Sequence, residues 1–295
     1  MMKRLKSVAP AVVITVFSAA MTVVFGDVNS TVACALAAVK LGVPVCHVEA
    51  GLRSFDRTMP EEINRILTDQ MADLLLVSEP SGITNLEREG VAAEKVQLVG
   101  NVMIDTLLHE LERASETPEV VELGLKEKGY GLITMHRPSN VDDPATLRSL
   151  LELFGELAGK LPLVLPLHPR TRAAAKEAGL LELLESHESL HVLDPLPYRA
   201  NLALMKGARL VLTDSGGIQE ETTILEVPCL TMRPNTERPI TVEQGTSKLV
   251  GNAVRRIREG FEQVLAGKWP KGGEIPMWDG NTGERIVEAI AGWLG

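Results

Sequence analysis

Residues 208–221, ARLVLTDSGGIQEE, are the most informative segment of the chain. An apolar run ends in a polar turn with two adjacent glycines, and a helical pattern starts at once. This order is typical of a strand that feeds a helix in a parallel α/β sheet. The glycines let a ligand approach the backbone, and the helix behind them presents N–H groups and the positive end of its dipole. The segment predicts a phosphate or diphosphate site at Ser215, Gly216 and Gly217, with Glu220 and Glu221 able to accept hydrogen bonds from ribose hydroxyls.

A purely structural turn, with glycines and an N-capping serine, would have the same sequence. The other segments of the chain are therefore needed to distinguish it from a ligand-binding turn. Strands alternate with helices on both sides of the segment. Predicted strands span residues 20–25, 43–48, 74–77, 96–99, 131–135, 163–166, 191–193, 208–213 and 227–232. Predicted helices span residues 32–40, 61–71, 146–157, 171–178, 198–206 and 283–294, with another reaching Glu89 from an N-cap cluster at 78–81. This alternation predicts an α/β fold with two Rossmann-like lobes, each built on a parallel sheet, and a cleft between them.

The domain junction is predicted in the acidic, helical region 107–128, where Pro118 and Gly124 interrupt the pattern. The expected division is a partial N-terminal lobe over residues 1–115 and a C-terminal lobe over 116–275. Residues 276–295 are expected to form a helix that packs back toward the N-terminal lobe.

Composition excludes several classes of protein. With 295 residues and 45% hydrophobic residues, the chain is not disordered as a whole. A net charge of −9 disfavours general nucleic-acid binding, although a few local cations can still hold a small anion. Three cysteines without a CxxC pair predict neither a disulfide framework nor a cysteine zinc site, and favour reduced thiols in a cytoplasm. No histidine spacing suggests a metal site.

The N-terminus allows two interpretations. Lys3, Arg4 and Lys6 precede an apolar stretch over residues 8–25, and residues 18–20 resemble a cleavage site, as in a signal peptide or a short membrane span. A buried parallel strand is also continuously apolar. Because residues 20–25 have the length of a strand and run directly into Gly26-Asp27, we predict a strand and no membrane association.

Acidic residues follow two of the predicted strands. Asp27 ends the first, Glu49 and Arg53 follow the second, and Glu61 lies in the loop after it. Each also has an ordinary structural interpretation. Asp27 could be a turn residue, Glu49 and Arg53 an ion pair, and Glu61 an acidic residue in the first turn of a helix. Together they predict an acid–base cluster, because crowded carboxylates push their pKa values apart.

Histidine and arginine follow two strands of the second lobe. His136 and Arg137 end the strand at 131–135, and His168 follows the strand at 163–166. Cations at neighbouring strand ends would suit a diphosphate, whereas the ordinary interpretation is an exposed basic loop. The other histidines are given only structural roles, at positions 47, 109, 187 and 191.

Seven segments, taken in order, resemble the non-hydrolysing UDP-N-acetylglucosamine 2-epimerase family. They are residues 47–53, 60–65, 100–101 with Asp105, 136–138, 214–221, 233–239 and 245–246. The resemblance implies a GT-B fold, with UDP held mainly by the C-terminal lobe and the sugar facing both lobes. It implies interconversion of UDP-N-acetylglucosamine (UDP-GlcNAc) and UDP-N-acetylmannosamine (UDP-ManNAc), by elimination and re-addition of UDP with proton transfer at C2. It implies a homodimer that makes precursors of surface polysaccharides, without metal or cofactor.

The resemblance also implies roles for individual residues. The catalytic set would be Asp27, Glu49, Glu61 and His136. The UDP-sugar would contact Arg53, Arg137, His168, Ser215, Gly216, Gly217, Glu221 and Arg238. A Gly-Thr-Arg-Pro-Glu loop that family members carry has no counterpart before Asp27, so the N-terminal lobe is expected to be incomplete, by roughly two βαβ units. Ser139 stands where many relatives have glutamate.

Two other functions remain open from the sequence. A GT-B glycosyltransferase could use the same UDP-sugar site, although simple glycosyl transfer does not need the acidic cluster. A fragment that binds UDP without turnover is the third possibility.

Overall fold

The computed structural model describes residues 20–114 and 118–295, and they form two compact units. The first unit comprises the described residues up to Val102 together with Asn281–Gly295, and the second comprises Met103–Gly280. Most of the apolar N-terminal stretch lies outside the described residues. Its last part forms the first strand.

The first unit alternates strands and helices. Its strands are β1 (Thr22–Phe25), β2 (Val45–Ala50), β3 (Leu74–Val77) and β4 (Val96–Leu98). Its helices are α1 (Asn29–Lys40), α2 (Pro60–Met71), α3 (Pro80–Arg88) and, from the C-terminal segment, α14 (Thr282–Leu294), with a 3-10 turn at Ala93–Lys95. The four strands form one parallel sheet in the order β1-β2-β3-β4.

The central strands of this sheet are covered on both faces. On one face Val24, Val45 and Leu75 pack with residues of α1 and α3. On the other face Cys46 and Leu76 pack with α14, which contributes Ile286. Because both faces are buried at its centre, the strand β3 is a continuous apolar run.

A β-bulge interrupts the pairing of β2 with β3. The register shifts between Val48 and Ala50, so that Glu49 has no partner residue on β3. Glu49 has a φ of 71°, in the left-handed region that non-glycine residues seldom occupy. The bulge presents Glu49 at the end of the strand, in the kind of irregularity that is common beside active sites.

The second unit contains the remaining elements. Its strands are β5 (Gly131–Thr134), β6 (Leu163–Pro166), β7 (Leu190–Leu193), β8 (Leu210–Thr213), β9 (Cys229–Thr231) and β10 (Ser247–Leu249). Its longer helices are α4 (Val102–Leu111), α7 (Pro144–Ala158), α8 (Pro169–Glu177), α10 (Tyr198–Gly207), α11 (Gly216–Ile224) and α13 (Val254–Leu265). Its shorter helices are α5 (Pro118–Glu122), α6 (Pro138–Val141), α9 (Leu181–Glu185) and α12 (Ile240–Glu243).

The strands of the second unit run parallel in the order β10-β9-β8-β5-β6-β7. From β5 the chain first moves outward through β6 and β7, and it then returns to the other side of β5 to form β8, β9 and β10. This is the 3-2-1-4-5-6 order of a Rossmann fold, and its switch point lies between β5 and β8. Ligands of such sheets bind beyond the carboxyl ends of the strands at that point.

The predicted fold class is confirmed, since each unit is an α/β layer structure on a parallel sheet. One predicted boundary was wrong, because the first helix starts at Asn29 rather than at residue 32, with Val28 as its N-cap residue. The strand β10 and the helices α6, α9, α12 and α13 were not predicted.

No helix within residues 20–114 or 118–295 combines the length and the apolar character needed to cross a membrane.

Candidate functional site

The switch point of the second unit is organised by one buried carboxylate. Asp214 follows β8 and is fully buried. Its Oδ2 accepts hydrogen bonds from the backbone N–H of His136 at 3.0 Å, from that of Arg137 at 2.8 Å and from Nδ2 of Asn140 at 3.0 Å. Asp214 therefore joins the end of β8 to the loop that follows β5.

Asp214 also holds the side chain of His136. The Nδ1 atom of His136 lies 3.1 Å from Oδ1 of Asp214, and 40% of the histidine side chain remains exposed. Burial opposes the charged form of Asp214. The hydrogen bond and charge of His136 outweigh burial, together with hydrogen bonds from the Arg137 backbone and the Asn140 side chain, and they lower the pKa of the Asp214 carboxyl. The ionised carboxylate fixes one nitrogen of His136 and leaves the other edge of the ring for a ligand.

His168 lies beside His136. The two rings have their centroids 5.1 Å apart, and Nδ1 of His168 accepts a hydrogen bond from the backbone N–H of Arg170 at the start of α8. Burial and the nearby His136 lower the pKa of His168. His168 therefore favours the neutral form.

The N-terminus of α11 adjoins this pair of histidines. Ser215 is its N-cap residue, and no side-chain capping bond from Ser215 to the helix is formed. A Cβ atom at Gly216 would lie 2.6 Å from Oε1 of Glu237, whereas one at Gly217 would meet nothing within 4 Å. Gly216 is thus required by packing, and the open space beside Gly217 lets a ligand reach the first N–H groups of the helix.

Glu221 lies farther along α11. Its Oε1 accepts a hydrogen bond from the hydroxyl of Tyr198 at 2.8 Å. Burial raises the pKa of Glu221, and the bond from Tyr198 only partly opposes that rise. Burial and the carboxylate in turn raise the pKa of Tyr198. The pair places an acceptor with a fixed orientation on the helix that carries the glycines.

Arg238 belongs to a buried charge network. Its Nε lies 2.7 Å from Oε1 of Glu220, and its guanidinium also pairs with Glu237. Glu237 pairs in addition with Arg233, at 2.5 Å. The network fixes the side chains behind Gly216.

A cavity of about 200 Å³ opens beside the two histidines. It is lined by Thr134, Met135, His136, Pro166, His168, Pro195, Leu196, Asn201, Ser215 and Ile218. Its walls combine apolar side chains with a few polar groups, as in small-molecule sites.

In the first unit, Asp27 is held by α2. Nε of Arg65 donates to Oδ2 of Asp27 at 2.9 Å, and Nδ2 of Asn64 donates to its backbone oxygen at 2.8 Å. Glu61 precedes these residues in the first turn of the same helix and is partly buried. The carboxylate of Glu49 lies over Gly26, whose Cβ would sit 3.4 Å from Oε2. The structure thus brings Asp27 and Glu49 to one end of the sheet, with α2 beside them.

Arg53 is buried in ion pairs. Its NH2 lies 2.7 Å from Oδ2 of Asp69 and 2.7 Å from Oε2 of Glu89. Asp69 also accepts a hydrogen bond from the backbone N–H of Gly51 at 3.1 Å, and its Oδ1 lies 2.6 Å from Nδ1 of His47. The loop after β2 is therefore tied to α2 through one carboxylate.

Glu62 organises the same loop from the next position on α2. Its carboxylate accepts from the backbone N–H groups of Ser54 and Phe55 at 2.9 Å each, and it pairs with Arg65. From the sequence, only Glu61 of these two adjacent glutamates was assigned a catalytic role, and Glu62 was given none. The helical position of Glu62, three residues before Arg65, is the signal for its structural role.

Sequence reasoning also missed His47, Asp69, Tyr198 and Asn140. His47 lies inside an apolar strand and was given only a structural role, while the others stand in ordinary helical contexts. Their partners are distant in sequence, so no local pattern marks them. Within the described residues, no group of three or more His, Cys, Asp or Glu side chains is placed to hold a metal ion.

Comparison with known proteins decides the family. The sequence model of the UDP-N-acetylglucosamine 2-epimerase family matches residues 9–291. The chain belongs to this family. The predicted family and the predicted isomerase class are thereby confirmed.

Two relatives illustrate the range of this epimerase family. The chain is 41% identical over 273 residues to UDP-N-acetylglucosamine 2-epimerase of Methanocaldococcus jannaschii, covering 91% of this chain and 74% of that protein. It is 43% identical over 272 residues to UDP-2,3-diacetamido-2,3-dideoxy-D-glucuronate 2-epimerase of Pseudomonas aeruginosa, covering 91% of this chain and 73% of that protein.

The fold agrees with solved structures of the family. The crystal structure of the M. jannaschii UDP-GlcNAc 2-epimerase in complex with UDP-GlcNAc and UDP superimposes with a TM-score of 0.86 at 40% identity. The superposition covers 95% of this chain and 77% of that one. The GT-B-like architecture expected from the sequence is confirmed.

Proposed function

We propose that this epimerase interconverts UDP-GlcNAc and UDP-ManNAc. The observation that carries the proposal is the switch point of the second unit, where a histidine held by a buried carboxylate adjoins an open helix N-terminus. That combination suits the diphosphate of a nucleotide sugar, and relatives in complex with UDP-GlcNAc and UDP support this ligand class.

In the second unit, Ser215, Gly216 and Gly217 would receive the diphosphate at the start of α11. His136 and Arg137 would add positive charge or hydrogen-bond donors from the loop after β5. Glu221, held by Tyr198, would accept a hydrogen bond from a ribose hydroxyl. His168, beside His136, completes the proposed set in this unit. Arg53 of the first unit and Arg238 are buried in ion pairs with carboxylates, so we propose that they position their loops and do not contact the substrate directly.

The first unit would supply the acid–base groups. One carboxylate of the set Asp27, Glu49 and Glu61 would take the proton from C2 of the sugar as the bond from C1 to the diphosphate breaks. The electron pair of the C2–H bond would form a C1=C2 double bond, giving 2-acetamidoglucal and UDP. Return of UDP to C1 and of a proton to the opposite face of C2 would complete the inversion. Donors at the diphosphate lower the cost of its departure.

Assembly and cellular role belong to the same proposal. We propose a homodimer that acts in the cytoplasm and supplies an activated sugar for surface polysaccharide synthesis. The odd number of cysteines and the absence of a CxxC pair favour reduced thiols and support that location.

Proton NMR in heavy water tests the proposed function. The purified chain is incubated with UDP-GlcNAc, and the C2 signal and products are followed over time. Deuterium at C2 together with UDP-ManNAc is the expected result. The variant Asp27→Asn removes one proposed acid–base group. It should bind UDP with unchanged affinity but lose exchange by at least about 100-fold, in the range of general acid–base contributions.

Each other outcome has its own meaning. Free N-acetylmannosamine would indicate a hydrolysing enzyme, and consumption of UDP-GlcNAc only with an added sugar acceptor would indicate a glycosyltransferase. UDP binding without exchange would indicate a binding protein.

The P. aeruginosa relative favours a second candidate substrate. By its name, that protein acts on UDP-2,3-diacetamido-2,3-dideoxy-D-glucuronate. The same exchange assay with this sugar nucleotide decides between the two, since the better substrate has the larger kcat/KM.

A further inference from the structure

The strand tip that carries Asp27 is held by an unusual set of side-chain donors. Three consecutive backbone oxygens each accept a hydrogen bond from a different side chain. Oγ1 of Thr31 donates to Phe25 O at 2.8 Å, and Nδ2 of Asn64 donates to Asp27 O at 2.8 Å. Between them, Nε2 of His47 lies 2.9 Å from Gly26 O. All three donor residues are buried.

His47 faces an acceptor with each ring nitrogen. On the other side of the ring, Nδ1 lies 2.6 Å from Oδ1 of Asp69. A carbonyl oxygen and a carboxylate can only accept, whereas a neutral imidazole has one N–H to give. A neutral ring would therefore leave one buried acceptor facing a lone pair, at a large energetic cost. The doubly protonated ring satisfies both partners.

Two carboxylates and one guanidinium surround the His47 imidazolium. Asp69 contacts the ring from α2, and Glu49 acts on it from the end of its own strand. Arg53 neutralises the far oxygen of Asp69, at 2.7 Å. Burial opposes the charged form of His47, but the hydrogen bonds and charges of Asp69, Gly26 and Glu49 outweigh it and raise the histidine pKa.

We infer that His47, as a buried imidazolium between Asp69 and the backbone oxygen of Gly26, is a positioning residue that fixes Asp27 relative to Glu49. The same Asp69 carboxylate holds Gly51 in the loop that follows Glu49, at 3.1 Å. One ion pair thus links the two strand ends that carry the proposed acid–base groups. This inference rests on the proposed function for its catalytic meaning.

Two amide substitutions separate this role from general packing. In His47→Gln the side-chain amide reaches the place of Nε2 and can still donate to Gly26. In His47→Asn it reaches only the place of Nδ1, toward Asp69. We expect His47→Gln to keep kcat for C2 exchange within about 10-fold of the wild type, and His47→Asn to lose at least about 100-fold, the usual effect of a misplaced catalytic group.

The same variants should leave UDP affinity nearly unchanged, because the proposed contacts to UDP belong to the other unit. Thr68→Val is the matched control. It removes a buried hydroxyl on α2 that donates within the helix to Asn64 O, at 2.8 Å, and does not touch the strand tip. Equal kcat values for the two amide variants, both folded, would overturn the inference.

Two readouts do not depend on activity. Hydrogen exchange should quicken at the backbone amides of residues 26–29 in His47→Asn and stay slow in His47→Gln. Imidazole ¹⁵N spectra of the wild type, which has six histidines, should show nearly equal shifts for the two nitrogens of His47 at pH 7. Unequal shifts would contradict the imidazolium. If the wild type shows no C2 exchange but both of these readouts give the expected results, the proposed function fails and the positioning of Asp27 by His47 stands.

Discussion

Asp214 is a single residue on which two strand ends depend. It is fully buried, and every contact described for its carboxylate is with a donor. In Asp214→Asn, an amide N–H₂ group would replace one carboxylate oxygen and would face N–H donors. One unsatisfied buried group costs about 1–3 kcal/mol. We expect Asp214→Asn to lower stability by that amount and to weaken UDP binding, as measured by urea unfolding and isothermal titration calorimetry.

The matched control for this prediction is Asp142→Asn. Asp142 is exposed and pairs only with the exposed Arg170 among its described contacts. Exposed pairs contribute little, so stability and UDP affinity should both stay within experimental error. An Asp214→Asn protein with wild-type UDP affinity would remove Asp214 from the proposed site.

His47 gives stability a specific pH dependence. Its pKa in the folded state is raised above the value of about 6.5 in an unfolded chain. The folded state then binds the proton more tightly, so the contribution is fully present below about pH 6.5 and is lost as pH rises through the folded-state pKa. The free energy of unfolding of the wild type, relative to His47→Gln, should therefore fall as pH rises above 6.5. A difference that stays constant from pH 6 to pH 10 would contradict the prediction.

At the residue scale, the sequence identifies the polar residues at strand ends, but it does not predict which side chains they bond to. Asp27, Glu49, His136 and Ser215 were selected because they follow apolar runs. The distinction between Glu61 and Glu62 depends on which side chain turns toward the Ser54–Phe55 backbone. That orientation depends on how the loop folds onto α2, and the sequence around Glu61 and Glu62 does not predict it.

Among the elements, the loop after β2 has the tightest backbone packing near the proposed acid–base groups. Gly51 has a φ of 79°, and a Cβ atom there would lie 2.5 Å from the backbone oxygen of Gly82 in α3. We expect Gly51→Ala to destabilise the protein by more than about 2 kcal/mol, because a steric clash adds to the left-handed conformation. Urea unfolding measures the change.

Gly42→Ala provides the comparison. Gly42 has a similar φ of 70°, but its Cβ would meet nothing within 4 Å. Only the conformational cost applies there, about 1 kcal/mol. Equal losses in the two variants would show that the contact with Gly82 is unimportant.

Element boundaries show where sequence patterns were insufficient. The first helix begins early because Thr31 bonds to Phe25 instead of capping the helix. The strand β10 has three residues, too few for a periodic signal. The helix α13 could have been found, since its buried side chains at 257, 261 and 264 follow a helical repeat.

At the scale of the whole molecule, the first sheet, as far as the chain is described, ends at an apolar edge. The strand β1 pairs only with β2 among the described strands, and Val23 and Phe25 are 37% and 54% exposed. Exposed edges of this kind promote strand addition between molecules. We expect Val23→Lys to reduce concentration-dependent association in sedimentation velocity experiments, with C2 exchange unchanged. Val287→Lys, at an exposed position on α14, is the control and should have no effect.

The overall architecture followed from alternation of strands and helices, but the strand order did not. Whether β8 returns to the side of β5 opposite β6 depends on how helices distribute over the two faces, which no single segment encodes. The switch point, and with it the meeting of His136 and Asp214, emerged only from the assembled sheet. Site roles therefore stay predictions that the experiments above address.

The membership of α14 in the first unit has a consequence for biosynthesis. The face of the first sheet that includes Cys46 and Leu76 is completed by Ile286, Ala289 and Ile290. A ribosome makes these residues only after the whole second unit, roughly 10 to 40 s later at ordinary elongation rates. During that interval the nascent first unit has an uncovered apolar face, so it is the part of the chain that a ribosome-associated chaperone would shield.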